Sequence, residues 1–367
     1  MPTTLTRRHM LKLIAAATTT ALLTPRLHAR AWYPTTVRKP QIPITPEPAI
    51  DDAWQLRGRA IHTVVVYEEA TTSSERKATF YRDESFPILG EVQAPFTAHN
   101  DRWYQVEDGY VHSAWVLPVR VYAPQPLLED LGAWGFWGEV SQIYTEARTA
   151  PSVDAPRKYR FYGGTVYHVI QSHLDEAGTG WYKVVDDYPP RQTGNYQWVL
   201  ARDVRRVPRS EITPIHPFVG EKRIVVDLSD QTLTCLEGET PVYKTLVASG
   251  LAGAHSTPTG DHCVLLKQGS RHMANVPYAD MPEAERPAAG DIFDLPGVPW
   301  NVFFDLQGRA IHGAYWHNDF GIRRSHGCLN VSIDAARWIY RWVHPIGGFE
   351  DDFIQSDCRV GTPITIF

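Results

Sequence analysis

A cysteine and a histidine at close spacing are the residues of this chain best suited to chemistry. Near the C-terminal end the sequence reads Ile311-His312-Gly313. Sixteen positions after His312 comes Cys328, within Ser325-His326-Gly327-Cys328-Leu329-Asn330. A thiol becomes a strong nucleophile when a base takes its proton and nearby dipoles hold the charge. An ordinary thiol is only slightly ionised at neutral pH, so it needs that partner. His312 can accept the proton and form a thiolate–imidazolium pair. Ala310-Ile311-His312 ends a strand, and Gly313 lets the chain turn close to the site. The N–H groups of Gly327 and Cys328 can form an oxyanion hole, since glycine permits a tight turn with both pointing inward. Arg324 can hold a substrate carboxylate through two parallel bonds. Ser325 can bond within its own turn. Tyr315, Trp316, His317 and Asn318 fill the loop and either border a substrate or cover surface.

Two other readings of these residues compete. His312, His317, His326 and Cys328 are all metal-ligand types, but zinc sites more often show paired Cys-x-x-Cys or His-x-x-x-His spacing. A buried structural cysteine beside satisfied histidines is the second. Cys235 and Cys263 read as half-buried strand residues, with a bridge between them as the lesser alternative. Cys328 has to remain a free thiol to react.

Blocks spread over about residues 220–367 carry a family resemblance. They are the strand Arg223-Ile224-Val225-Val226-Asp227-Leu228, the run Val242 to Ser249 ending at Gly250, and Thr257-Pro258-Thr259-Gly260. His312-Gly313, the Ser-His-Gly-Cys-x-Asn block and the terminal Val360 to Ile366 complete the set. Together they resemble the L,D-transpeptidases, cysteine enzymes that cross-link bacterial peptidoglycan. The resemblance implies a mostly β catalytic domain with a short helix after the cysteine. It assigns His312 the role of base, and His326 a supporting role, held in the site and orienting. It also implies that Cys328 attacks the carbonyl of the third residue of a peptidoglycan stem peptide. D-Ala then leaves, and an amine of a neighbouring stem resolves the thioester into a 3→3 cross-link. Carbapenems would act as covalent inhibitors, and no metal or organic cofactor is required. Water as acceptor would make the enzyme an L,D-carboxypeptidase, and another amine a protein-anchoring transpeptidase. A wall-binding protein with an idle site is the non-enzymatic alternative. Papain-like wall enzymes place Cys before His, the reverse of the order here. Thr232-Leu233-Thr234-Cys235 falls one residue short of the sortase pattern and sits in a strand without helpful neighbours.

The elements around this site read as mainly β. Thr257-Pro258-Thr259-Gly260 has Pro second and Gly fourth, a type I turn pattern. Residues 268–299, rich in Pro and acids and weakly periodic, read as a long loop serving as a lid. Ser332 can cap a helix from Ile333 to Val343. Upstream lies an internal repeat of short aromatic and β-branched runs, in which Tyr67 matches Tyr144 and Trp103 matches Trp181, at offsets of 77 and 78. The two copies, 55–121 and 138–208, resemble bacterial SH3-like barrels, with both tryptophans as packing residues. Such domains usually bind wall peptides or act as spacers.

The first 31 residues read as an export signal. Arg7-Arg8 precede an apolar run from Leu13 to Leu23, with Ala29-Arg30-Ala31 as a cleavage site, which suggests twin-arginine export. The run is short for a membrane span; uncleaved, it would leave an N-terminal anchor. Residues 32–54 hold five prolines and read as an extended tether. Removal of the signal takes the formal net charge from −5 to about −10. An acidic protein lacks the clustered Lys and Arg that phosphate contact needs, so nucleic acid is excluded as a partner.

Overall fold

The structure, a computed structural model, describes residues 53–97, 99–187, 195–275 and 292–367. The export signal lies outside the described residues, as does the tether up to its last two positions. Trp54 already opens a strand, Trp54–Ala60. Among the described residues no helix is long and apolar enough to cross a membrane.

In the C-terminal domain, strict alternation sets the strands. In Lys222–Asp227 every second residue is buried, with Ile224 and Val226 facing the core. This strand pairs antiparallel with Thr232–Glu237 and parallel with Pro363–Ile366. Thr240–Leu246 and Gly260–Cys263 complete a five-stranded sheet. A second five-stranded sheet runs in the order Leu329–Val331, Ala310–Gly313, Asp294–Phe303, Leu266–Ala274, Ile354–Gln355. One apolar core joins both sheets, through Ile224, Leu233, Ile364, Val302, Ile311 and Leu329, to the helix Ile333–Trp342. Ser332 caps that helix as expected, its Oγ accepting from Ala335 N–H at 3.2 Å.

The internal repeat is real, and its register needs one correction. In the second module the strand order is Arg157–Tyr162, Tyr144–Arg148, Tyr196–Leu200, Gly180–Val185, Val166–Leu174, Phe136–Val140, Val204–Arg206. The first module follows the same order. There the long strand Val166–Leu174 is replaced by two short ones, Ser85–Pro87 and Gly90–Gln93, which split the sheet in two. Each module has a 3₁₀ turn, Ser113–Trp115 or Ala201–Asp203, before its closing strand. Trp103 and Trp181 are equivalent and fully buried, as expected for packing residues. Tyr67 and Tyr144 are not equivalent. Val64 pairs with Phe80 as Thr145 pairs with Phe161, and each ladder shifts register three residues on, at Tyr67 and at Arg148, so Tyr67 matches Arg148. Sequence similarity alone slid that strand by part of its length.

Three further expectations change. The ends of 268–299 are strand, Leu266–Ala274 pairing antiparallel with Asp294–Phe303, and the middle of the expected lid, 276–291, lies outside the described residues. The glycines that hid this pattern make room for rings of the second module. A Cβ on Gly269 would lie 2.8 Å from Trp137, and one on Gly297 (φ +65°) 2.3 Å from Tyr167. Thr257–Gly260 is not a turn: Gly260 opens a strand, and Thr257 is buried. Cys263 is on a strand, but it is bridged to Cys358, with Cα atoms 5.3 Å apart. Cys235, fully buried on its own strand, is free, so no bridge joins it to Cys263.

Candidate active site

Two short parallel strands build the centre. Ala310–Gly313 lies beside Leu329–Val331, with Ile311 opposite Leu329 and His312 opposite Asn330. Cys328 stands one residue before the second strand. A backbone hydrogen bond from Ala310 reaches its sulfur. The register continues back to place Cys328 opposite Ala310, so His312 lies on the neighbouring strand and two residues further along, in a sheet whose strands run about 4.8 Å apart. Gly313 continues its strand rather than turning. A Cβ there would come within 3.1 Å of Ile333 Cα, so glycine is what lets the strand approach the helix start.

His312 is buried, with Nδ1 3.2 Å from Gly313 O. A carbonyl only accepts, so Nδ1 carries the hydrogen and Nε2 holds the lone pair. Burial lowers its pKa to about 4. Cys328 is a free thiol. Burial of its sulfur pushes the pKa up to about 11, with the Ala310 backbone bond opposing. Desolvation therefore works against both charges of the expected thiolate–imidazolium pair.

The turn before Cys328 is fixed from several sides. Ser325 Oγ donates to Cys328 O at 2.6 Å and accepts from Gly327 N–H at 3.1 Å. Ser325 N–H and Arg324 N–H both reach Ser249 O, and Leu251 N–H reaches Ser325 O. Thr257 Oγ1 accepts from Gly250 N–H at 2.8 Å and donates to Gly327 O at 3.1 Å. Gly327 has φ +112°, and a Cβ would lie 2.8 Å from Arg309 Nε. Its N–H is engaged by Ser325, which corrects the expected two-donor oxyanion hole. The Cys328 N–H bonds no described residue.

The loop after His312 is an interior element. Tyr315, His317 and Asp319 are buried, and the first module grips the segment at Tyr315, Asn318 and Asp319. Asn318 Nδ2 donates to Tyr104 Oη, Ser113 O and Val116 O at 3.1 to 3.2 Å. Arg59 donates to Tyr315 O at 2.6 Å. His99 Nε2 lies 2.9 Å from Asp319 Oδ1, and Asn100 donates to the same oxygen at 3.4 Å. Asp319 in turn holds Arg324 through its Nε and Nη2. Burial raises the Asp319 carboxyl, but Arg324 and His99 outweigh it and hold the group below the usual range. Arg324 is therefore already paired with an internal carboxylate, against its expected bidentate hold on a substrate. Tyr315 buries its hydroxyl on Pro296 O and borders nothing outside. Trp316 keeps partial exposure, its ring 5.7 Å from that of His312. The Asn330 amide lies 3.0 Å from His317 Nε2. His317 is neutral, with burial lowering its pKa to about 3. His326 is exposed on the lip, its ring 4.4 Å from His255 and 5.1 Å from Phe293. Gly313 O orients the His312 ring through Nδ1.

Ser249 and Thr257 carry the family resemblance without a role in the site, and Asp319, His99 and Asn100 were not singled out from sequence. The last two lie about 220 positions from the carboxylate they hold, a separation no local pattern reveals. Among the described residues, no group of three or more His, Cys, Asp or Glu is placed to hold a metal ion.

The family model YkuD, L,D-transpeptidase catalytic domain, matches residues 221–366. Solved structures with some likeness include an L,D-transpeptidase of Enterococcus faecium, 20% identical, covering 45% of this chain and 55% of that one, TM-score 0.30. An L,D-transpeptidase from Mycobacterium smegmatis is 18% identical, covering 52% and 91%, TM-score 0.31. The LD transpeptidase LdtMt1 in complex with imipenem is 15% identical, covering 68% and 90%, TM-score 0.31. The chain spans about half the length of the first of these. Likeness at this level adds nothing to the family match. No curated protein matches the chain.

Proposed function

With an L,D-transpeptidase catalytic domain at residues 221–366, we propose that this protein cross-links peptidoglycan stem peptides through a thioester on Cys328. The observation that carries the reading is the parallel register of Ala310–Gly313 with Leu329–Val331, which puts a buried imidazole with a free Nε2 lone pair and a free thiol on neighbouring strands, two residues apart along them. Burial favours the neutral form of both groups, and the first step is then one of general base catalysis. As Cys328 Sγ bonds the carbonyl carbon of the third stem residue, His312 Nε2 takes the thiol proton. The carbonyl electrons move onto oxygen, toward the Cys328 N–H. When the oxyanion collapses, the bond to the D-Ala nitrogen breaks, and the imidazolium returns its proton to that amine. The side-chain amine of a second stem then attacks the thioester, loses its proton to His312 and releases Cys328, leaving a 3→3 link. Burial, which disfavours both charges at rest, also strengthens the field that the imidazolium exerts on the oxyanion.

The two upstream modules are read as SH3-like barrels that support this domain, and residues 1–31 as an export signal that delivers the chain outside the cytoplasm. Intact mass after incubation with a carbapenem tests the chemistry. One covalent adduct is expected on wild type and none on Cys328→Ala, and His312→Ala should slow acylation at least ~100-fold. An adduct that survives Cys328→Ala, or an unslowed His312→Ala, removes those residues from the mechanism.

A further inference from the structure

Beside the reaction centre is a cavity of about 130 Å³ with walls from two parts of the chain. Ile61, His62 and Trp115 come from the first module; Trp316, His317 and Arg324 come from the loop and turn that frame Cys328. Trp316 is shared, since its ring also faces His312 at 5.7 Å. Trp115 is 39% exposed. It meets the His62 ring edge-on, with centroids 6.2 Å apart and planes at 64°. An indole left open in a cleft next to an active site is a binding surface in want of an apolar face.

Charge and backbone narrow what can bind. Arg324 is the cation on the wall, and Asp319 behind it balances the charge, so the cavity offers no net pull on a carboxylate. Backbone groups at the corner are spent on each other, Ile61 N–H donating to Trp115 O at 2.9 Å. A peptide adding as a strand finds no free edge there. What remains is an aromatic corner with ring nitrogens and a guanidinium edge, which suits a neutral ring with one C–H face and a polar rim.

The repeat supplies an internal contrast. In the second module Ser141 N–H donates to Asp203 O at 2.8 Å, the counterpart of the bond from Ile61 to Trp115. Asp203 thus stands where Trp115 does, and its carboxylate accepts from Thr145 at 2.8 Å. The frame is kept in both copies, but only the copy facing Cys328 carries the indole.

We propose that the Trp115–His62–Trp316 corner binds a sugar ring of the glycan strand bearing the stem peptide, making the first module part of the substrate site. This rests on the reading of the domain as a peptidoglycan transpeptidase. The test compares two donors on the full chain: a free stem tetrapeptide and the same peptide on its disaccharide. Wild type is expected to favour the disaccharide form about tenfold in kcat/KM. Trp115→Ala should bring that ratio near one, and Trp115→Phe should restore part of it. A wild-type ratio near one, or a ratio unchanged in Trp115→Ala, overturns the proposal. Equal thermal midpoints for the variants establish that they fold. If neither donor is turned over, the transpeptidase reading fails, and titration of Cys328→Ala with the disaccharide alone decides the cavity. Saturable quenching of tryptophan fluorescence that disappears with Trp115→Ala supports the sugar site, and its absence overturns it.

Discussion

Trp103 of the first module and Trp181 of the second occupy one position in one strand order, and both are fully buried. The outward faces of the modules share far less. The first module meets the C-terminal domain with hydrogen-bonding groups: Asn318 is held by Tyr104, Ser113 and Val116, and Asp319 by His99 and Asn100. The second presents rings, Trp137 and Tyr167 over Gly269 and Gly297. It also contributes to an ion network in which Arg205 and Arg337 share Glu139 and Glu211. The second also hydrogen-bonds the long hairpin, Asp187 accepting from Gln268 at 3.0 Å and from Arg271 at 2.6 Å and Asp186 lying 2.7 Å from His272, so what divides the modules is the element each one holds. The first module is therefore built to position the loop between His312 and Cys328, and the second to hold the helix and the long hairpin.

The sharpest way to break this contrast is to remove one charge from the second module's network. Arg205 is 1% exposed and depends on Glu139 at 2.9 Å. Burial opposes its charge, and Glu139 and Glu211 overcome that and raise its pKa. Glu139→Ala should cost ~3–5 kcal/mol, because it leaves a buried guanidinium short of a partner. Urea unfolding should show a lower midpoint at constant slope. The fraction that stays folded should still be acylated at the wild-type rate. A loss below ~1 kcal/mol, or slowed acylation in folded protein, would erase the distinction between the modules.

Asn318→Ala strikes the first module's side and should do the opposite. It strips three acceptors of a donor, at a cost of ~1–3 kcal/mol, less than the network change. Its main effect should be on chemistry, through the environment of the thiol. In wild type, alkylation of Cys328 by a small haloacetamide should climb steadily toward pH 11, since burial pushes the thiol up to about that value. Cys328→Ala gives the blank, as Cys235 is buried. With Asn318→Ala the loop loosens and water reaches the sulfur. Less desolvation means a lower thiol pKa, so the curve should move toward the ordinary value of about 8.5. A thiolate plateau below pH 7 in wild type would make the ion pair the ground state.

The reacting pair was legible because its parts lie within one short stretch, and the glycines that shape it are local. The grip of the first module was not, since His99 and Asn100 meet Asp319 only after the chain has built two sheets in between. The long hairpin was obscured for a physical reason. Gly269 and Gly297 break the strand pattern because they fit rings from another part of the chain. Four cysteines permit three pairings even when all are bridged, and only folding brings Cys263 to Cys358. The match of Tyr67 with Tyr144 failed in the same way, by following residue identity where strand pairing decides.

One ion pair lets the contrast between modules be tested with the chemistry held constant. Arg120, on the first module's closing strand, donates to both carboxylate oxygens of Asp334 at 2.7 Å, in the helix's first turn. Arg337, one turn further along the same helix, binds Glu139 of the second module. Both are Arg–carboxylate pairs; burial separates them. The Arg120 and Asp334 side chains are 39% and 58% exposed, against 12% and 8% for Arg337 and Glu139. Water screens the outer pair, so Arg120→Ala should cost under ~1 kcal/mol. That small loss should shrink further in ~1 M salt, where the Debye length is about 3 Å. The Glu139→Ala loss should hardly change with salt. If Arg120→Ala proves as damaging as Glu139→Ala, the first module also holds the domain together by charge, and burial does not divide the labour between the two copies.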